Sequence, residues 1–334
     1  MTGANDGWTD ELARARLHVV TGKGGTGKTT VATALALALA TGGHRVLLIE
    51  VEGRQGIAQL FDRPPLPYAE ERLAAAPGNG ELRALAVDAE AALLEYFEMF
   101  YNFGLAGKTL RRMGAVEFAT TLAPGLRDVL LTGKVRECVT RTDSGGRYLY
   151  DAVVLDAPPT GRIVKFLEVT RAMADVAKVG PIHSQSESVV RLMHSADTAV
   201  HLVTLLEEMP VRETLDAAAD LDGADLRPGA VLVNRVRPHR LPARSISPAV
   251  DGRVDAGRVR AGLTNAGLNL DTDTVDGLVA ETVEHAIRQD AEKRARDQLA
   301  EADLPSIDLP EADDGIDVAA VYELAEELVA QGVR

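Results

Sequence analysis

One cysteine, Cys138, in a chain of 334 residues leaves no partner for an internal disulfide and no C-x-x-C pair for a thiolate metal knuckle. The only tryptophan is Trp8, and six phenylalanines and six tyrosines complete a sparse aromatic content. No apolar run approaches a membrane span: the longest, Val31 to Ala40, is half of the roughly 20 residues a bilayer requires. Positive charge is scarce as well. Thirty-six Lys and Arg stand against 50 Asp and Glu, and a net charge of −14 argues against a nucleic-acid coat or a basic membrane anchor. No basic segment leading into an apolar stretch opens the sequence, so a secretory leader is not expected. These exclusions point to an acidic cytoplasmic protein, long enough to bury a large core.

What is present is a phosphate-binding pattern. Val19-Val20-Thr21-Gly22-Lys23-Gly24-Gly25-Thr26-Gly27-Lys28-Thr29-Thr30 contains G-x-x-x-x-G-K-[ST] at Gly22, Gly27, Lys28 and Thr29. A strand-like segment, Leu17 to Val20, precedes it, and an Ala/Leu-rich helical segment, Val31 to Ala40, follows it. In that context the backbone from Gly24, Gly25, Thr26 and Gly27 to Lys28, Thr29 and Thr30 curls round phosphate oxygens, helped by the positive end of the helix. Lys28 is expected on the β/γ-phosphates and the Thr29 hydroxyl on Mg²⁺. A chance glycine-rich turn is the plain alternative.

Lys23 is a second lysine inside the loop, giving G-K-G-G-x-G-K-T-T. A solvated loop lysine is one reading. The other is a cation delivered across an interface, doing an arginine finger's work on the transferred charge. The loop resembles that of the deviant P-loop ATPases, which include the septum-positioning MinD proteins, nitrogenase iron protein and the arsenite-pump ATPases. That resemblance implies ATP as the nucleotide and an extra lysine acting across a nucleotide-sandwich dimer.

Arg45 to Ile49 is nearly all apolar beyond its first residue, as expected of a parallel strand covered on both faces. It runs into Glu50-Val51-Glu52, and carboxylates at the carboxyl end of such a strand would face the phosphates, solvated loop acids being the alternative. From Glu52 to Phe61 the chain resembles switch I of the arsenite-pump and tail-anchored-protein-targeting ATPases, D-P-A-H-x-L-x-D-x-F. The resemblance implies that Glu52 stands on the catalytic aspartate. Gly53 replaces Pro and Gln55 replaces His. Glutamate is one methylene longer, and misplacing the attacking water by about 1 Å can cost about 10²-fold in rate. Hydrolysis is therefore expected to be slow or left to a partner subunit.

Tyr150 to Asp156 reads as an apolar strand ending in a carboxylate that holds Mg²⁺ through water. The stretch that follows resembles the family's switch II, matching at Asp156, Pro159, Thr160, Gly161, Phe166 and Leu167. Asn234 ends another strand, where a carboxamide can match the adenine edge. The resemblance implies base reading at Asn234 and a backbone contact near Pro310. Residues 64–123 are expected to form a small helical insertion. It carries Tyr96, Phe97, Phe100, Tyr101 and Phe103 at helical spacing, either core or, by resemblance, a face for a hydrophobic partner. Residues 1–15 are expected to be flexible, with Trp8 as a possible docking point, and residues 237–255 read as a surface loop. The last helix, Val318 to Val329, is acidic, unlike a membrane-binding basic helix.

The expected fold is α/β, a single P-loop NTPase domain over 1–334 with a doubly wound, mostly parallel sheet. The resemblance covers nearly the whole chain and is closest to actinobacterial anion-transporter ATPases, which can occur as paired paralogues. It implies an ATPase working as a nucleotide-gated homodimer, or as a heterodimer with a paralogous subunit, on a hydrophobic protein client or a membrane-associated partner. Two alternatives stand beside it: a catalytically weak regulatory subunit, and a nucleotide-gated binding module for a hydrophobic client. Neither nucleic acid nor an integral membrane segment is expected. Arsenite chemistry is poorly served by one thiol.

Overall fold

Successive residues of the central strands point to opposite faces, and here both sets are apolar, so each face of the sheet must be covered by helices. In β2 (Arg45–Glu50), Leu47 and Ile49 join one buried cluster while Val46 and Leu48 join the other. β1 (Leu17–Gly22) divides in the same way, Leu17 and Val19 against Val20. The computed structural model describes residues 7–51, 53, 55–101, 125–176, 181–312 and 315–334.

The remaining strands are β3 (Glu71–Ala76), β4 (Gly80–Ala86), β5 (Ala152–Asp156), β6 (Thr198–Thr204), β7 (Pro228–Val236) and β8 (Ser306–Pro310). They form one sheet in the order β3-β4-β2-β5-β1-β6-β7-β8, parallel throughout except for the antiparallel β3–β4 pair. Helices α1 (Asp10–Arg14), α2 (Lys28–Ala40) and α3 (Gly56–Leu60) come first in the chain, and α4 (Ala89–Tyr101) and α5 (Leu126–Thr140) lie between β4 and β5. After β5 come α6 (Thr160–Val176), α7 (Pro181–Met193), α8 (Glu208–Gly223), α9 (Ala243–Val250), α10 (Ala256–Asn265), α11 (Thr272–Leu299) and α12 (Val318–Ala330). One face of the sheet carries α5, α6, α8 and the end of α11; the other carries α2 and α12. Every residue of α2 from Val31 to Ala40 is buried, which is why that segment has no polar side.

Three expectations change. Residues 64–123 are not simply a helical insertion: β3 and β4 occupy 71–86 and extend the sheet beyond β2, α4 follows, and 102–123 lie outside the described residues. Pairing with β2 and burial of Leu82, Ala84 and Leu85 supply what the alanine-rich sequence does not signal. Residues 237–255 contain a helix, α9, against which α11 packs. Residues 7–15, expected to be flexible, are docked: Trp8, Leu12 and Ala15 are buried, and Thr9 caps α1 by accepting the Leu12 N–H.

Trp8 docks on two histidines. Its ring stacks at 5.5 Å on His18 of β1 and at 5.1 Å on His201 of β6. The Ala230 N–H donates to His201 Nδ1, so His201 carries its proton on Nε2 and donates to His18 Nδ1 at 3.1 Å; His18 Nε2–H then donates to the Ala15 carbonyl. This chain needs both imidazoles neutral. Burial pushes His18 down to about 4 and His201 well below its ordinary value, the latter helped by the His18 and Arg227 charges. An unfolded chain takes up these protons near pH 6.5 and the folded chain does not. The stabilisation is thus present above that pH and is lost as the pH falls towards 4. Urea unfolding is expected to give a free energy lower by roughly 2–3 kcal/mol at pH 5.5 than at pH 7.5. A flat profile across that window would refute the neutral stack.

Candidate functional site

Parallel pairing brings three strand ends side by side. Val20 of β1 and Glu50 of β2 both stand opposite Asp156, the last residue of β5. Such carboxyl ends are where open α/β sheets hold ligands. The loop from Lys23 to Gly27 rises from β1 here and turns directly into α2.

Close backbone approach explains the glycines at its two ends. A Cβ on Gly22 would lie 2.3 Å from the Val203 carbonyl oxygen, and one on Gly27 (φ +88°) 2.4 Å from Asn234 Nδ2. Above Gly24 and Gly25 the opposite holds: a Cβ would meet nothing within 4 Å. The loop is therefore packed underneath and open on its outer side, a cradle for a ligand that approaches backbone amides. Lys28, 8% exposed, opens α2. Thr29 Oγ1 donates to Asp156 Oδ2 at 2.6 Å. A cavity of about 240 Å³ is bounded by Gly25, Gly27, Lys28, Thr29, Glu50 and Asp156. Thr21 Oγ1 donates to the Pro158 carbonyl at 2.6 Å, and the Ala157 N–H to the Val20 carbonyl, tying the loop's root to the segment after Asp156.

Thr29 and Asp156 offer hard oxygen donors. Among the described residues no group of three or more His, Cys, Asp or Glu is placed to hold a metal. The two hard oxygens suit Mg²⁺, which keeps several waters and takes one or two protein oxygens plus substrate phosphates.

The other expected residues fall in different places. Lys23 sits partly exposed on the loop and pairs with Glu213 of α8, Nζ to Oε1 at 2.7 Å. Asn234 is buried and committed to the loop: Nδ2 donates to the Thr26 carbonyl at 2.9 Å, and Oδ1 accepts the Arg235 N–H at 3.0 Å. Pro310 ends β8 opposite Val236, exposed. Glu52 lies outside the described residues, as does Phe103; so do the side chains of Tyr96, Phe97, Phe100 and Tyr101, which ride on α4. His194 engages Glu168 through Nε2 and the Asp225 carbonyl through Nδ1, as a structural histidine does. Cys138 is buried in α5, and its thiol is pushed up by burial, so it is unreactive.

Glu50, read from the sequence as a strand-end carboxylate that would face the phosphates, and Gln55, read as a replacement for the family's histidine, both have defined places here. Glu50 is buried in the cavity wall. Gln55, in the left-handed region at φ +57°, clamps the Leu66 backbone from both sides, accepting its N–H at 2.7 Å and donating to its carbonyl at 3.3 Å. Beyond the ends of β6 and β7 a cleft of about 600 Å³ is lined by Glu207, Glu208, Arg235, Arg237 and residues of α11. There the Arg237 hydrogen bonds to Glu311 hold that carboxyl below its ordinary value.

Comparisons with known proteins bear on the family of the chain. The family model for anion-transporting ATPases matches residues 15–197. The chain is 56% identical to ATPase BagA of Mycobacterium tuberculosis over 332 residues, which span 99% of this chain and 98% of that protein. It is 26% identical to ATPase GET3 of Kluyveromyces lactis over 197 residues, 57% of this chain and 55% of that protein. A third relative, ATPase GET3 of Eremothecium gossypii, is 28% identical over 164 residues, 47% of this chain and 45% of that protein.

Proposed function

The chain belongs to the anion-transporting ATPase family and is an ATP hydrolase, and from that premise we propose that it works as a nucleotide-gated dimer. In this reading ATP binding and hydrolysis drive a conformational change that acts, in the cytoplasm, on a hydrophobic protein client or a membrane-associated partner. The observation that carries the site assignment is the Thr29–Asp156 hydrogen bond beneath the open face of the loop. Backbone amides from Gly24 to Thr30 would hold phosphate oxygens, with Lys28 placing its charge on the β/γ-phosphates. Thr29 would ligate Mg²⁺ directly and Asp156 through water. Held there, Mg²⁺ would supply neutralisation of the negative charge on the phosphates. Glu52 would position the attacking water. Asn234 keeps one N–H and one lone pair of its amide beyond the two bonds to the loop and Arg235, enough to meet an adenine edge, with the Pro310 backbone beside it. No helix among the described residues is long and apolar enough to cross a membrane.

The dimer reading is supported by Lys23, whose ammonium turns outward to α8 in the single chain. A second reading, a slow subunit completed by a paralogue, is favoured by Gln55. The family's histidine position is here spent on holding Leu66. Turnover of MgATP by this protein alone, measured against protein concentration, separates the two. A gated homodimer should show specific activity that rises with concentration, and Glu52→Gln should lower it by about 10²-fold. Specific activity independent of concentration would sink the gated homodimer. Binding without turnover, restored by adding a paralogous subunit, would establish the heterodimer.

A further inference from the structure

Glu50 is the last residue of β2, only 3% exposed, and it stands in register with Asp156. A strand covered on both faces gains nothing in packing from a terminal carboxylate, and burying one is unfavourable unless it is hydrogen-bonded. Its partners are specific. Oε1 accepts the Gly56 N–H at 3.2 Å and Oε2 the Ile57 N–H at 3.4 Å, so the side chain holds the first turn of α3. That turn in turn rests on the start of α2: a Cβ on Gly56 would lie 3.0 Å from Thr29 Cγ2 and 3.5 Å from Thr29 Oγ1. Thr29 is the residue bonded to Asp156. The same carboxylate also lines the cavity beside Lys28 and Thr29. One side chain thus lines the phosphate pocket and fixes the first turn of α3 beside it.

We infer that Glu50 is a positioning residue for ATP hydrolysis: it sets the start of α3 against Thr29 and so couples the phosphate pocket to switch I. The inference rests on the ATPase site proposed above. Glu50 does not touch the reacting atoms; it acts through Gly56, Ile57 and Thr29. Its removal should therefore slow turnover while leaving ground-state binding nearly unchanged, because the loop amides and Lys28 remain in place.

The test uses the full chain with Glu50→Ala and the isosteric Glu50→Gln, which keeps one acceptor oxygen. Amide hydrogen exchange at Gly56 and Ile57 should speed up by about tenfold in the alanine variant and by less in the glutamine variant. The value of kcat should fall by about tenfold or more in the alanine variant while KM for MgATP changes by less than about threefold. Unchanged kcat with an active parent protein would overturn the inference, and so would exchange at Gly56 and Ile57 that matches the parent. A rise in KM with kcat preserved would also overturn it, since that makes Glu50 a binding residue. Failure of the underlying site reading looks different: the parent protein itself would then not turn over MgATP, and the coupling role would fall with it.

Discussion

Lys23→Ala is expected to lower kcat for MgATP by about 10³-fold, the lower end of what a cation delivered in trans contributes to phosphoryl transfer. The effect should appear in turnover and not in folding. In the isolated chain Lys23 pairs with Glu213, and both side chains are about one-third exposed, 32% and 37%. Exposed pairs of this kind contribute about 0–1 kcal/mol, so breaking one leaves stability almost unchanged and lets the lysine leave readily when a better anion arrives. A partner subunit's phosphate group is that anion in the dimer reading. Circular dichroism and thermal melting of the variant should match the parent while turnover collapses. Turnover within about threefold of the parent would make Lys23 a solvated loop lysine and remove the trans role.

Lys28→Ala should lower kcat/KM by about 10³-fold as well, for a different reason. Lys28 is almost fully buried at the first turn of α2, where helix and ammonium present positive charge to the same cavity. Removing it takes away a preorganised charge that water cannot replace, so nucleotide affinity should fall together with rate. Mixing the two variants gives the sharper result. In a two-fold dimer each subunit's loop faces the other subunit's Lys23. A mixed dimer then has one site with both lysines, its own Lys28 and the Lys23 of the Lys28→Ala chain. Two inactive proteins should regain activity on mixing. Continued inactivity would mean that both lysines serve the same chain's site.

The loop was legible because its chemistry dictates its sequence: glycine is needed where Val203 and Asn234 leave no room for a Cβ, and Lys28 and Thr29 are needed at the helix start. The doubly wound sheet was legible for a similar reason, since strands covered on both faces must be apolar along their middles, as β2 and β5 are from Val46 to Ile49 and from Ala152 to Leu155. What escaped was decided by tertiary contact. β3 and β4 are short and alanine-rich, and their pattern makes sense only beside β2. Docking of residues 7–15 depends on a pair of buried histidines 183 positions apart in the chain. Glu50 could be read from the sequence as facing the phosphates or as a solvated strand-end acid, but its hold on the α3 amides is something no strand-end position reveals. Asn234, expected at the base, also bonds to the loop and to Arg235, a supporting role that no spacing reveals.

The ring stack at the foot of β1 makes this protein its own spectroscopic sensor. Its one indole rests on two imidazoles, one of them on the strand that ends in the phosphate loop. Emission excited at the tryptophan band therefore comes from a single site, unmixed with signal from any other. Protonation of the imidazoles beneath it accompanies unfolding, so the change in that light with acid should track the loss of the fold. A change in emission on adding nucleotide would be a signal carried the length of one strand, from Gly22 to His18, and so a direct optical reading of how rigidly β1 transmits what its loop has bound.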